Sequence, residues 1–269
     1  MTPTRIAIAG LGSIGKALAA TLDADGIPGL RLTAVSARDL DRARLAVADF
    51  RHPVAVVPLA ELEPLADWVV ECAPAALLPS IVTPFLNAGK PAIVLSVGAL
   101  LAHPDLIETA RRHGSHLHVP TGALIGLDAV LAAAEGRIDS VELVTRKPPA
   151  GLAGAPHLVR QGISIEGLQA PLCVFAGTAR QAVEGFPANA NVAAALSLAG
   201  IGPERTRVEI WADPLVSRNT HQITVDADSA RFTMTIENIA SANPRTSRSA
   251  VQSLVALLRK MTATLKVGT

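Results

Sequence analysis

The segment IAIAGLGSIG, residues 6–15, restricts this chain more than any other. A β-branched run ends in Gly10, and Gly12 and Gly15 follow in G-x-G-x-x-G spacing. Beyond them Ile14, Leu18 and Leu22 recur every four residues, which predicts one apolar stripe on a helix. In strand-turn-helix context the first glycine allows a tight turn, the second lets backbone approach a pyrophosphate, and the third lets helix pack on strand. The phosphates would meet unpaired N–H groups and the positive dipole end of the helix. Gly10, Gly12, Ser13, Ile14 and Gly15 are therefore expected to hold a dinucleotide, NAD or NADP. The plainer alternative is a structural turn.

Short β-branched runs then alternate with helical patterns as far as Pro120, the signature of a parallel sheet with crossover helices. The strands expected are Ile6–Ala9, Leu32–Ser36, Val54–Val57, Trp68–Cys72, Ala92–Val97 and His116–Val119, with helices near Leu40–Phe50, Ala75–Ala88 and Pro104–His113. After Pro120 the texture changes. A loop feeds a helix in TGALIGLDAVLAAAEG, VELVTR reads as a strand, and KPPAGLAGAP as a loop. Helices are expected at Ala179–Glu184 and Asn191–Leu198, and strands at Arg207–Trp211, Gln222–Val225 and Arg231–Ile236. The last two alternate with period two around DADS, a hairpin pattern. A helix from Ser247 to Lys260 is expected to return to the first domain. The fold class is α/β: an N-terminal Rossmann domain (residues 1–120 plus about 245–269) with a second α+β domain of mixed or antiparallel sheet (121–244).

A net charge of +1, with scattered Lys and Arg, argues against nucleic acid as a partner. Aromatics are only 3% of residues, so the core must come from Ala, Val, Leu and Ile. Neither an export signal nor a run of the ~18 apolar residues needed to cross a bilayer is evident, which predicts a cytoplasmic protein without a membrane partner. Cys72 and Cys173 are in no metal or redox spacing and read as two buried thiols.

NAD specificity usually rests on an acid at the tip of the second strand. Here the tip is VSARD, where Ser36 and Arg38 suit a 2′-phosphate and Asp39 comes late, so NADP is expected to be accepted, alongside NAD. Ala73, just after the fourth strand, is a further cofactor candidate.

Several ordered blocks, TGALIGLDA, TRKPP, FPANANVAAALSLAG, ADP followed by NTH, and ENIASANPRTS, together with GLGSIG, resemble the L-aspartate dehydrogenase family over nearly the whole chain. The resemblance implies a homodimeric enzyme oxidising L-aspartate to iminosuccinate with NAD or NADP, or running in reverse from oxaloacetate and ammonia, and feeding NAD biosynthesis. It also implies that Ala123 and Asn189 contact cofactor and that His221 is the active-site histidine. The second-strand tip departs from the Asp-Arg pair common in the family.

Such chemistry needs a group that manages a proton on nitrogen, and a histidine with an ordinary pKa near 6.5 suits it. His221, at a strand start, is the candidate catalytic residue; an ordinary strand-end histidine is the alternative. A dicarboxylate needs cationic or N–H partners, for which Arg146, Lys147 and Arg245 are candidates, as is Asn191. Asn189 and Asn191 stand near a helix start, where capping is their commonest job. His116 and His118 share a strand face without a third ligand, so no metal is expected. Competing functions are oxidation of another small amino acid or a sugar, and a nicotinamide-binding sensor that has lost catalysis.

Overall fold

A computed structural model describes residues 2–239 and 248–269. The chain forms two compact units, Met1–Pro120 with Val251–Val267, and Thr121–Ala250 with Gly268–Thr269.

The first unit runs β1 (Thr4–Ala9), α1 (Ser13–Asp23), β2 (Leu30–Ser36), α2 (Leu40–Val47), β3 (Ala55–Val56), β4 (Trp68–Glu71), α3 (Leu78–Asn87), β5 (Ala92–Val94), α4 (Val97–Ala102), α5 (Asp105–Arg112) and β6 (Leu117–His118). Its six strands are all parallel, in the order β3-β2-β1-β4-β5-β6. This is the doubly wound order whose direction reverses beside the first strand, where ligands bind at the strands' carboxyl ends. Alternation along β1 sends Ile6 and Ile8 into one core layer and Ala7 and Ala9 into the other. Leu254 and Leu258 of the last helix, α10 (Arg248–Thr262), are fully buried in the layer that holds Ile6, Leu18 and Leu22.

The run read as one strand, Ala92–Val97, ends at Val94 and gives way to α4. The reason lies in β4. Buried Glu71 accepts hydrogen bonds from the N–H groups of Leu95 and Ser96, at 3.1 and 2.8 Å, and takes them out of the ladder.

The second unit runs α6 (Leu127–Ala134), β7 (Ile138–Lys147), α7 (Pro156–Gln161), β8 (Leu172–Thr178), α8 (Ala179–Gly185), α9 (Asn191–Ala199), β9 (Arg207–Ala212), β10 (Asn219–Ala227) and β11 (Arg231–Asn238). Its sheet is mixed, β11-β10-β7-β9-β8, with only β7 and β9 parallel. The hairpin expected around DADS is β10–β11, with Val225 opposite Phe232. Valines and leucines of β7 face inward at Val141 and Leu143, while Glu142, Arg207, Glu209, Gln222 and Thr235 make an exposed polar face on the other side. Of KPPAGLAGAP, read as a loop, Lys147 instead ends β7, Pro149–Gly151 form a 3-10 turn and Pro156 begins α7.

The two cysteines differ. Cys72 has a thiol pushed up by burial, but Cys173 is exposed, because edge strand β8 places it opposite Trp211 on the open face.

Candidate functional site

In the first unit the glycines do distinct physical work. Gly10 has φ +104°, and a Cβ there would lie 2.5 Å from the Cys72 carbonyl oxygen. A Cβ on Gly15 would lie 1.9 Å from the carbonyl oxygen of Gly10, so this contact is helix against turn. Gly12 is the opposite case: a Cβ there would meet nothing within 4 Å. It stands as the N-cap of α1 with no side-chain cap on the helix, leaving the first-turn N–H groups open to an anion.

These residues open onto a groove of about 1000 Å³ lined by Gly10, Gly12, Ser13, Ser36, Arg38 and Ala73, among others. Ile14 and Gly15 stand behind it, Ile14 packed on the core. Lys16 and Arg42 join Arg38 on its lining, two cations that the sequence reading missed. Asp39, the acid nearest the strand tip, uses its carboxylate to cap α2, accepting from the Arg42 N–H at 2.9 Å. The groove thus carries three cations and a committed acid. That suits the pyrophosphate and a 2′-phosphate, and an open face at Gly12 fits the dinucleotide that the motif implies.

Glu71 also escaped the sequence reading. Its carboxylate is fully buried at the end of β4, where it accepts from the N–H of Ala73 at 3.1 Å and from the Ser96 hydroxyl at 3.0 Å besides the two amides of the strand end. Burial pushes its pKa up while these bonds pull it down. The acid therefore ties the groove residue Ala73 to the turn after β5.

In the second unit, register gathers a polar cluster on the inner face of the sheet. Thr145 pairs with His221 across β7 and β10, and Thr145 Oγ1 is hydrogen-bonded to His221 Nδ1 at 3.1 Å. Two residues on, Lys147 shares that face, and its Nζ donates to Asn189 Oδ1 at 2.7 Å. Lys147 is 7% exposed and His221 2%. Desolvation lowers the Lys147 pKa to about 8. Burial and then the Lys147 charge push His221 down to about 3, so it is the neutral imidazole at physiological pH. The expectation of a histidine poised near neutrality is thereby corrected: desolvation disfavours the charged form.

Other candidates fall elsewhere. Arg146, one residue from Lys147, points to the opposite face, where it bonds Asp213 at 3.3 Å and lies 4.6 Å from the centre of the Trp211 ring. Asn189 is not a helix cap: α9 has Ala190 as its N-cap with no side-chain cap bond, and the Asn189 amide oxygen is spent on Lys147. Asn191 is the first residue of α9. Ala123 lies in the turn before α6, its carbonyl accepting from buried Asn238 Nδ2 at 2.9 Å. Arg245 lies outside the described residues. His116 and His118 flank Leu117 at the edge strand β6, rings 6.1 Å apart, and no group of three metal-ligating side chains occurs among the described residues. No described helix is long and apolar enough to cross a membrane.

Known proteins resemble this chain along its length. Residues 128–261 match the family model described as aspartate dehydrogenase, C-terminal, and residues 10–120 match that of the homoserine dehydrogenase NAD binding domain. The chain is 58% identical to L-aspartate dehydrogenase 3 of Bordetella bronchiseptica, over 98% of this chain and 97% of that one. It is 56% identical to an L-aspartate dehydrogenase of Bradyrhizobium diazoefficiens, over 98% and 94%. Among solved structures, an aspartate dehydrogenase from Thermotoga maritima shares the fold with a TM-score of 0.77 at 23% identity, covering 98% of this chain and 99% of its own.

Proposed function

The chain belongs to the aspartate dehydrogenase family, and from that membership we propose that it catalyses the NAD(P)-dependent oxidation of L-aspartate to iminosuccinate, and in reverse the reductive amination of oxaloacetate with ammonia. The observation that carries this reading is the cluster of buried Thr145, Lys147 and His221 with half-buried Asn189, in a chain 58% identical to an L-aspartate dehydrogenase. Polar groups taken out of water at that cost call for a polar, charged substrate.

In this reading Met1–Pro120 with the C-terminal helix is the cofactor domain and 121–244 the substrate domain. Gly10, Gly12, Ser13, Ser36, Arg38 and Ala73 line the dinucleotide groove and Ile14 and Gly15 support its turn from behind, with Ala123 and Asn189 as contacts suggested by family resemblance. Lys147, Asn191 and Arg245 serve the amino acid beside His221; Arg146, committed to Asp213 and Trp211, is the weakest of the set. The resemblance likewise supports a homodimer, a cytoplasmic location and use of the iminosuccinate in NAD biosynthesis.

The test is reduction of NAD or NADP by purified protein offered L-aspartate, D-aspartate, L-glutamate, L-alanine or an inositol. The proposal expects kcat/KM for L-aspartate to exceed every other by at least about tenfold. A better turnover of any other substrate overturns it.

A further inference from the structure

We propose that Lys147, rather than His221, is the base that takes the proton from the substrate's α-ammonium. The assignment rests on the dehydrogenase reading above and deepens it at the same site.

At neutral pH an amino acid carries its α-nitrogen as ammonium, which has no lone pair to form C=N. Before hydride can leave the α-carbon, one proton must leave the nitrogen. The bookkeeping is complete with one base. The ammonium gives a proton to neutral Lys147 Nζ; the α-carbon gives a hydride, with its electron pair, to nicotinamide C4; the nitrogen lone pair closes the C=N bond, and the product leaves as the iminium of iminosuccinate. Lys147 then returns its proton to solvent. The nicotinamide, when bound, supplies the two-electron acceptor, and the protein supplies only the proton acceptor.

The surroundings of Lys147 decide which residue can play that part. Lys147 lines a small cavity with Ala182 of α8, Ala193 of α9 and Val208 and Ile210 of β9, an apolar surround relieved by Thr145 and Asn189. Among the described residues the titratable group facing Lys147 is His221, on neighbouring β10. The nearby carboxylate of Asp213 is occupied by Arg146 Nη1 and the Leu215 N–H, and among the described residues no carboxylate pairs with Lys147 Nζ. Asn189 Oδ1 takes one of its hydrogens, which orients the amine and leaves its remaining valences for substrate. With its charged form desolvated and no described anion holding the ammonium, the neutral amine is accessible near pH 8. His221 is the poorer proton acceptor: desolvation first, and the Lys147 charge second, disfavour its protonated form, so the imidazole stays neutral, bonded to Thr145.

The experiment compares wild-type protein with Lys147→Ala and Lys147→Arg, using L-aspartate with either cofactor, and measures NADPH binding by fluorescence in parallel. Lys147→Ala is expected to lose about 10²–10⁴ in kcat while NADPH binding is kept, and millimolar ethylamine to restore part of the rate. Lys147→Arg, which keeps the charge but cannot act as a base, is expected to be as slow as the alanine variant. The wild-type kcat/KM is expected to rise with pH to a plateau with an apparent pKa near 8, a limb that His221→Asn retains. An arginine variant within a few-fold of wild type overturns the assignment and makes Lys147 an electrostatic anchor.

Competitive acetylation across pH, read by mass spectrometry at Lys147, gives a second measurement that needs no turnover. Titration at the ordinary lysine value of 10.5 overturns the assignment whatever the substrate. A wild-type protein inert to aspartate but with Lys147 titrating near 8 instead contradicts the dehydrogenase reading itself, and this assignment falls with it.

Discussion

Lys147 Nζ and Asn189 Oδ1 are hydrogen-bonded at 2.7 Å although 42 residues separate them in sequence. One is the last residue of a central strand, the other lies just before the helix α9. The bond converts a buried cationic side chain into an oriented one. Asn189→Ala leaves that donor without its acceptor, which costs about 1–3 kcal/mol. Urea unfolding is expected to show a lower midpoint with an unchanged slope. An unaltered midpoint would mean that the amine finds another acceptor.

The burial of His221 makes a stability prediction with a definite sign. Its folded pKa is lowered from 6.5 to about 3, so between those values the unfolded chain binds a proton that the folded chain refuses. Folding stability therefore falls as pH drops through that window, by at most about 1.4 kcal/mol per pH unit for this one group. His221→Asn is expected to flatten the dependence when urea midpoints are compared from pH 7 to pH 4. Parallel curves for the two proteins would show that His221 is protonated in the fold.

Two of the glycines are expected to separate binding from folding. Gly12→Val meets open space, so the unfolding midpoint stays close to wild type while NAD(P)H affinity drops by about 100-fold or more, because the side chain occupies the approach to the phosphates. Gly15→Ala puts a Cβ against the Gly10 carbonyl and is expected to lower thermal stability sharply. Fluorescence titration and calorimetry on both variants check the pair. Cofactor affinity preserved in Gly12→Val would move the phosphates elsewhere.

Arg38 and Arg42 face the groove together, and a charge-assisted bond to a 2′-phosphate is worth about 1.5–3 kcal/mol. Arg38→Ala is expected to weaken NADPH by about 10-fold or more relative to NADH, and the double variant with Arg42→Ala further. Equal losses for both cofactors would assign the arginines to the pyrophosphate or to the surface.

What the sequence disclosed and what it concealed follow from the range of the forces involved. The glycine turn, α1 and the β10–β11 hairpin were legible because each is fixed by residues adjacent in the chain. Strand β8 was missed because a register shift between Cys173 and Phe175 places Val174 and Phe175 both inward and breaks the period-two pattern. The strand read over Ala92–Val97 was drawn too long, and α4 after it was missed, because the carboxylate that ends β5 comes from Glu71, 25 residues from Ser96. At the site, Lys147 and His221 were found as residue types, but their burial and the partnership with Asn189 arise only when β7, β10 and the approach to α9 are assembled. The environment reversed the roles that reference pKa values suggest: the lysine moves toward neutrality and the histidine away from it.

The central claim is most directly tested by following absorbance at 340 nm while purified protein is given oxaloacetate and NADPH or NADH, with and without ammonia. The account predicts nucleotide oxidation that depends strictly on ammonia and yields L-aspartate. Oxidation that proceeds equally without ammonia, or none in either cuvette despite cofactor binding, would contradict it.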